Sequence, residues 1–385
     1  MHLRQKEQSV MQGKGTVFES LLKYVSRKKF DEIVEKHNGD KWCKNFFCWD
    51  LFIMLLHGQL CGEMSMRSVE LSNSCQASYL NRLGAKTVSL STLSDACKAR
   101  NPDVFMDVFR QVLTLLRTTP RKIDKELDQF IYLIDSTPIP LKGHGYEWVK
   151  DNYRIKGLKV HTIYDYDLKS PVHFTITAPN VNDVTEGKKL AIKAKGIYVF
   201  DKGYYDYSWW NNIDKKGSRF VTRLKKDAPF KIITRRDVNE NLFHDWTIQL
   251  TSQAGKHFKG LLRHIRIKLA NKKSIVVVTN DLTSSATRIA ELYKWRWDIE
   301  LFFKCLKQNL KIKRFWAKNE NAVKLQIITA MIAYILLRLA QVKNQCSLSI
   351  KQVRVIIRLK LCEPTTVYKV LKIPKRHVQK MEGRL

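Results

Sequence analysis

The sequence predicts an α/β protein with helices first, strands in the middle and helices again at the end. Three observations carry this. Up to about residue 125, apolar residues recur at the three- and four-residue spacing of amphipathic helices. From there to about residue 283, short runs of β-branched and aromatic residues alternate with turn-forming residues. Beyond that the helical period returns. Of the 385 residues, 44% are hydrophobic, so the chain can bury a core and is long enough for two or three domains.

Charge narrows the function classes. Lys and Arg number 69 against 36 acids, a net +33. Such an excess repels itself unless a polyanion balances it, and nucleic acid is the simplest one. An anionic membrane surface would demand a basic amphipathic anchor or a span. The start, MHLRQKEQSVMQGKG, has no apolar leader core. The longest apolar run, IITAMIAYILL, is too short to span a bilayer and is followed by Arg338, so a buried core helix is expected and no membrane partner. The eight cysteines include no C-x-x-C pair, and core thiols are expected rather than metal ligands or disulfides.

In the helical opening, KKFDEIVEKH, WDLFIMLLHGQL and MRSVELS carry helical spacing. SLSTLSDACKAR reads as a helix capped by Ser91 or Ser89, and NPDVFMDVFRQVLTLLR as another with Pro102 in its first turn. A helix-turn-helix bundle and a plain helical scaffold both fit. The charge excess favours DNA contact, so residues 1–125 are read as an N-terminal helical DNA-binding domain.

The strand-rich part opens with FIYLI, which ends at Asp135. KGLKVHTIYD and PVHFTITAPN form a hairpin, NDVTEGKKLAIKA a short helix, and GIYVF a strand ending at Asp201. SRFVTRLKK, FKIITRR, WTIQLTSQ and LRHIRIKL are short strands with basic loops, and KSIVVVTND is a buried-type strand. A helix capped by Ser284 or Ser285 follows. Residues 126–345 are read as the catalytic domain, with a β-rich insertion at about 225–268. Residues 346–385 form a helical, basic tail whose end, KRHVQKMEGRL, is expected to fray.

Within that helix lies YKWRWDIELFFKCLKQ. At about 100° per residue, Arg296 falls roughly 60° from Tyr293, Glu300 about 20° and Lys307 about 40°, so all four share one polar ridge. Leu292, Trp295, Ile299, Phe302 and Leu306 form an apolar stripe beside it, whereas Glu291 and Asp298 fall off the ridge. Asp135 and Asp201 each follow an apolar strand, where a carboxylate needs a positive partner. Three carboxylates without His or Cys suit a hard cation, Mg²⁺ first and Mn²⁺ second. Two such ions can serve phosphodiester chemistry. Arg296 and Lys307 would then hold phosphates, and Tyr293 would bond a phosphate or stack on a base.

Tyr293, Arg296, Glu300 and Lys307 fit the spacing Y-x2-R-x3-E-x6-K, and this resembles the motif of DDE transposases from bacterial insertion sequences of the "insertion sequence four" family. LIDST around Asp135 and VFDKGY around Asp201 resemble that family's first two acidic motifs. The second gap between acids, 99 residues against 66, leaves room for the family's β insertion. KKFDEIVEKHNGDKW…CWDLFIMLLHGQL, SLSTLSDA and NENAVKLQIITAMIAYILL are similar too, so the likeness reaches about residue 340.

The resemblance implies a ribonuclease-H-like core, a mixed sheet flanked by helices and interrupted by the insertion. It implies two Mg²⁺ ions, with Mn²⁺ able to substitute, held by Asp135, Asp201 and Glu300. It implies cut-and-paste transposition through a hairpin on the element end. The partners are double-stranded inverted-repeat ends and target DNA, gripped by a synaptic homodimer in the bacterial cytoplasm at the nucleoid. Tyr293, Arg296 and Lys307 would grip the terminal phosphate, Trp246 would stack a flipped base, and Lys202, Tyr204 and Lys156 would touch the DNA backbone. A catalytically silent DNA-binding protein, a structure-specific nuclease of the same fold and an RNA-associated scaffold are the alternative readings.

Overall fold

The computed structural model describes residues 15–120, 129–141, 143–149, 156–237, 242–268, 274–310, 312 and 314–372; the polar N-terminus and KRHVQKMEGRL lie outside the described residues. The chain divides into two compact units. One comprises Met1–Pro120, Lys142–Val149 and Lys304–Leu385, the other Arg121–Leu141 and Lys150–Phe303.

The first unit opens with α1 (Val17–Leu22), α2 (Arg27–Lys36), α3 (Cys48–Cys61), α4 (Met66–Cys75), α5 (Ala77–Arg82), α6 (Leu90–Ala99) and α7 (Pro102–Arg117). Small polar caps start most of them. Thr16, Ser26, Ser65, Ser89 and Asn101 each accept a first-turn amide, which satisfies a donor that the helix itself leaves unpaired. Ser89 is the cap of α6, not Ser91. Helix α7 buries Val104, Phe105, Val108, Phe109, Val112, Leu113 and Leu116, one stripe at helical spacing. Helix α3 is buried from Cys48 to Leu60, as its run of apolar residues on every face requires.

The second unit is built on one nine-stranded sheet. Its strands are β1 (Phe130–Pro140), β2 (Gly157–Asp165), β3 (Ser170–Thr177), β4 (Gly196–Phe200), β5 (Arg219–Thr222), β6 (Phe230–Arg235), β7 (Leu242–Leu250), β8 (Leu262–Lys268) and β9 (Ser274–Thr279). The order is β3-β2-β1-β4-β5-β9-β8-β7-β6. The first three strands pair antiparallel, β4 and β5 run parallel to β1, and β9 returns antiparallel to β5. Strands β6 to β8 therefore continue the central sheet instead of forming a separate one. Helix α8 (Asp183–Lys189) lies between β3 and β4 in the chain, and α9 (Tyr207–Lys215) between β4 and β5. Phe200, Trp209, Trp210 and Phe220 form the aromatic heart of this core; the rings of Phe200 and Trp209 are 4.8 Å apart.

Two local expectations change. The strand FIYLI does not stop at Asp135: β1 runs on to Pro140, paired along that length with β2. Its pairing with β4 ends at Ile134, so the far half of β1 is an edge, where Pro138 and Pro140 cost no ladder bond on the open side. The helix with the polar ridge is not continuous either. Ser285 caps α10 (Ala286–Trp295), Arg296 makes a tight turn with its amide 3.2 Å from the Tyr293 carbonyl, and α11 (Trp297–Lys304) follows. A π-helical turn, Cys305–Asn309, comes next and belongs to the first unit.

That unit is completed by α12 (Glu320–Lys343), α13 (Ile350–Lys360) and α14 (Val367–Leu371). Helix α12 extends well beyond the apolar run seen in the sequence. It is long and apolar enough to cross a membrane, yet 89% of its most apolar stretch is buried, the placement of a core helix. All eight cysteines are free. Only Cys48, Cys97 and Cys305 are core thiols; Cys75 is exposed and the rest are half-buried.

Phe200→Ala should remove the ring on which Trp209, Trp210 and Phe220 pack, costing about 3–5 kcal/mol. Urea denaturation followed by tryptophan fluorescence measures it, and a loss below about 1 kcal/mol would contradict this core.

Candidate active site

Strands β1 and β4 set the site. They run parallel in a register that pairs Ile131 with Ile197 and Ile134 with Phe200. The next residue on each chain is an aspartate, so Asp135 and Asp201 leave neighbouring strands at the same level. This is the carboxyl end of a parallel pair, the usual location of sites in α/β sheets. Asp135 lies mid-strand because β2 carries β1 onward, while Asp201 ends β4 and caps the short 3₁₀ turn Lys202–Tyr204.

Short hydrogen bonds orient both carboxylates. The Ser136 amide donates to Asp135 Oδ1 at 2.8 Å, and the Gly203 amide donates to Asp201 Oδ1 at 2.7 Å. Glu300 is supplied by α11. Arg296 joins the group: its Nη1 is 3.5 Å from Asp135 Oδ2 and its Nη2 is 2.6 Å from Glu300 Oε1. The guanidinium also lies over the Tyr293 ring, 5.8 Å from its centre. One cation thus spans two of the three predicted carboxylates.

Burial raises the Asp135 pKa to about 7; the charges of Asp201 and Glu300 add to this, while the Ser136 amide and Arg296 work against it. Burial also pushes the Tyr293 phenol up. For Arg296, burial alone would disfavour the charge, but Tyr293, Glu300 and Asp135 hold it protonated and raise its pKa overall. The three carboxylates therefore share one electrostatic site. Among the described residues, however, no three acids, imidazoles or thiols are close enough to form a ready-made metal cage. The bridging guanidinium explains this, since it occupies the space between Asp135 and Glu300.

The remaining predicted residues divide. Lys202 is exposed beside Asp201. Tyr204 is 1% exposed and packs in the core, so it cannot touch a DNA backbone; its neighbours Phe200 and Trp209 hold it inside. Lys156 is half-buried, with its carbonyl accepting the Leu141 amide. Trp246 lies on β7 with His244 stacked on it, ring centres 3.7 Å apart. Lys307 lies in the π turn and counts with the other unit. Glu291 and Asp298, off the ridge, bind elsewhere, with Arg288 and Lys169.

One acid escaped the sequence reading. A β-carbon on Gly203 would meet Asp183 Oδ2 at 2.9 Å and Asp201 Oδ1 at 3.0 Å, so both carboxylates approach the same glycine. Lys159 and His161 each lie 3.4 Å from Asp183 Oδ1. The glycine after Asp201-Lys202 was the available signal, because only a residue without a side chain admits two carboxylates there.

A mixed sheet with two aspartates at one level, and a glutamate tied to one of them through an arginine, defines an α/β protein with a three-carboxylate site. The chain belongs to the family of the Transposase DDE domain, which matches residues 127–336. Residues 13–86 match a second family, a domain of unknown function (DUF4372). A protein of Sinorhizobium fredii named as a transposase is 40% identical over 264 residues, covering 67% of this chain and 73% of its own. A transposase for an insertion sequence element of Geobacillus stearothermophilus is 28% identical over 271 residues, 68% of this chain and 70% of its own. Among solved structures, the piggyBac transposase synaptic complex with hairpin DNA is similar at a TM-score of 0.47 and 12% identity, over 94% of this chain and 84% of that one. Transposases bind DNA, cleave it and transfer strands.

The raised Asp135 pKa has a definite sign. The folded protein keeps a proton that the unfolded chain releases near the ordinary value of 3.8. The stabilisation is therefore full below about pH 4 and is lost as pH rises through about 7. In metal-free buffer the wild-type urea midpoint should fall across that window, and Asp135→Asn should flatten the fall. Identical pH profiles for the two proteins would count against this placement of Asp135.

Proposed function

We propose that this chain is a DDE transposase of the "insertion sequence four" type, which excises its element through a hairpin and joins it to target DNA. The observation that carries the reading is the β1–β4 register: it brings Asp135 and Asp201 to one level, and Arg296 links Asp135 to Glu300. The order β3-β2-β1-β4-β5, with the first three strands antiparallel, supports a ribonuclease-H-like core. Strands β6 to β8 are then its β insertion.

Asp135, Asp201 and Glu300 would hold the divalent ions. The donor set fits them: three hard oxygen donors share one field, in which burial raises the Asp135 pKa and the charges of Asp201 and Glu300 add to it. Two Mg²⁺ or Mn²⁺ ions there would lower the pKa of a bound nucleophile and stabilise a departing oxygen. The protein's own residues supply the rest. Arg296 presents a fork suited to phosphate, and it can exchange a carboxylate partner for one. Tyr293 backs that fork with its ring, and exposed Lys202 offers a point charge beside Asp201.

The reaction then runs as four displacements at phosphorus. Water cuts one strand at the element end, freeing a 3′-hydroxyl. That hydroxyl attacks the opposite strand and closes a hairpin on the element. A second water opens the hairpin, and the 3′-hydroxyl attacks target DNA. Trp246 would stack a flipped base once His244 yields its face. A synaptic homodimer pairs the two ends, and the work is done in the bacterial cytoplasm at the nucleoid.

The inverted repeats flanking the reading frame supply the substrate. A labelled duplex with one such end should give nicked and hairpin products with Mg²⁺. Glu300→Gln should slow both by about a hundredfold or more while retaining binding, a loss typical of removing one group that acts on the transition state. Binding by the wild type without cleavage in either Mg²⁺ or Mn²⁺ would instead identify a silent DNA-binding protein. Cleavage without joined products would identify a nuclease.

A further inference from the structure

In the first unit, Arg354 is on the inner face of α13, between the buried Val353 and Ile356. It is 6% exposed, yet its Nε and Nη2 are buried without a hydrogen-bond partner. A guanidinium cannot lose its charge, so it calls for an anion when removed from water. Among the described residues no ion pair forms with Arg354 or with Arg358 one turn later: Glu63 pairs with neither, and Glu363 is taken by Lys360 at 2.7 Å. Arg358 makes matters worse, since burial and then its like charge lower the Arg354 pKa.

The two arginines converge on one point. A β-carbon on Gly62 would be 3.4 Å from Arg354 Nη2 and 3.9 Å from Arg358 Nη1. Gly62 ends α3 at φ 78°, a left-handed conformation that suits glycine, and it leaves the two forks room. Burial lowers the His57 pKa to about 4, and burial, then the charges of Cys362 and Glu63, raise that of Cys61 to about 12; Glu63, next to Gly62, is the carboxylate of this neighbourhood, and it forms no ion pair with either arginine. The carboxyl end of α3 attracts cations, but it leaves Arg354 Nε and Nη2 unbonded. Arg358 is exposed, so the site opens to solvent on that side.

We propose that Arg354 and Arg358, converging at Gly62, form a phosphate-binding site. Two guanidinium forks meeting at one glycine suit a tetrahedral oxyanion better than a planar carboxylate. Its ligand in the working protein is a backbone phosphate of DNA, a source that rests on the DNA-processing reading above.

The test uses the full chain. Thermal unfolding is followed in inorganic phosphate and in chloride at equal ionic strength, for wild type, Arg358→Gln and Arg354→Met. Binding of a labelled duplex is titrated with salt for the same proteins. Phosphate should raise the wild-type melting temperature and leave both variants unmoved. Each variant should reduce the slope of log affinity against log salt by about one.

Arg354→Met should melt in chloride no lower than wild type, since it removes a buried unpaired charge. A marked drop would make Arg354 a structural residue and overturn the proposal. An equal phosphate response in all three proteins would overturn it as well. Lost phosphate response with an unchanged salt slope would keep the phosphate site and reject DNA as its source. Neither arm depends on strand cleavage, so failure of the transposase reading would register separately.

Discussion

The contact on which the second unit's site depends is the Arg296 guanidinium between Asp135 and Glu300. Carboxylates brought together at the centre of a sheet repel one another and lose solvation. Without a cation they would protonate or move apart. Arg296 provides that cation from the junction of two helices, with Tyr293 beneath it in α10 and Trp297 after it opening α11. The guanidinium therefore has two roles that use the same geometry. It balances the acids, and in the proposed function the same fork would take a phosphate of DNA. An ammonium in its place would present its three donors from one point, without the planar fork that spans the two carboxylates.

The strand order explains why the acids are gathered so closely. Parallel pairing of β1 with β4 requires a crossover, and here the crossover comprises β2, β3 and α8. It brings a residue 66 positions later to the level of Asp135. Strands β6 to β8 follow β5 in the chain, which returns through β9, and β9 pairs antiparallel with β5 itself. The backbone ladder runs from β5 through β9 into β8, so strands β6 to β8 are hydrogen-bonded into the same sheet as β4, the strand that leads to Asp201.

Much of this was legible in the sequence. The apolar, β-branched and aromatic runs FIYLI and GIYVF, the cap at Ser89 or Ser285 and the stripe along α7 follow from local rules, and local rules decide element type. The edge of the sheet was not legible. That β1 continues past Asp135 depends on where β4 stops, a fact about another strand. The exposure of Cys75 and the burial of Tyr204 have the same character, since helical spacing tells which residues share a face but not how much of it is covered. Asp183 was missed because its partner is a glycine's missing side chain, and periodicity is blind to that. Arg354 was missed because a lone Arg in a basic helix reads as a solvated charge.

The polar ridge shows how a wrong premise can leave a right grouping. Its angles assumed one α-helix from Tyr293 to Lys307, and the helix is interrupted at Arg296. The interruption tightens the turn, with the Arg296 amide bonding the Tyr293 carbonyl three residues back. In a three-residue turn, positions i and i+3 eclipse. Arg296 is therefore carried over the Tyr293 ring rather than roughly 60° away from it. From Arg296 to Glu300 the spacing is i to i+4, the natural reach of a salt bridge along a helix. Three members of the ridge are thus aligned more closely than a regular helix would manage. The fourth, Lys307, is in a π turn, where each residue advances through a smaller angle, so the straight-helix phase does not apply to it. Local winding, not the average period, decides which of these side chains act together.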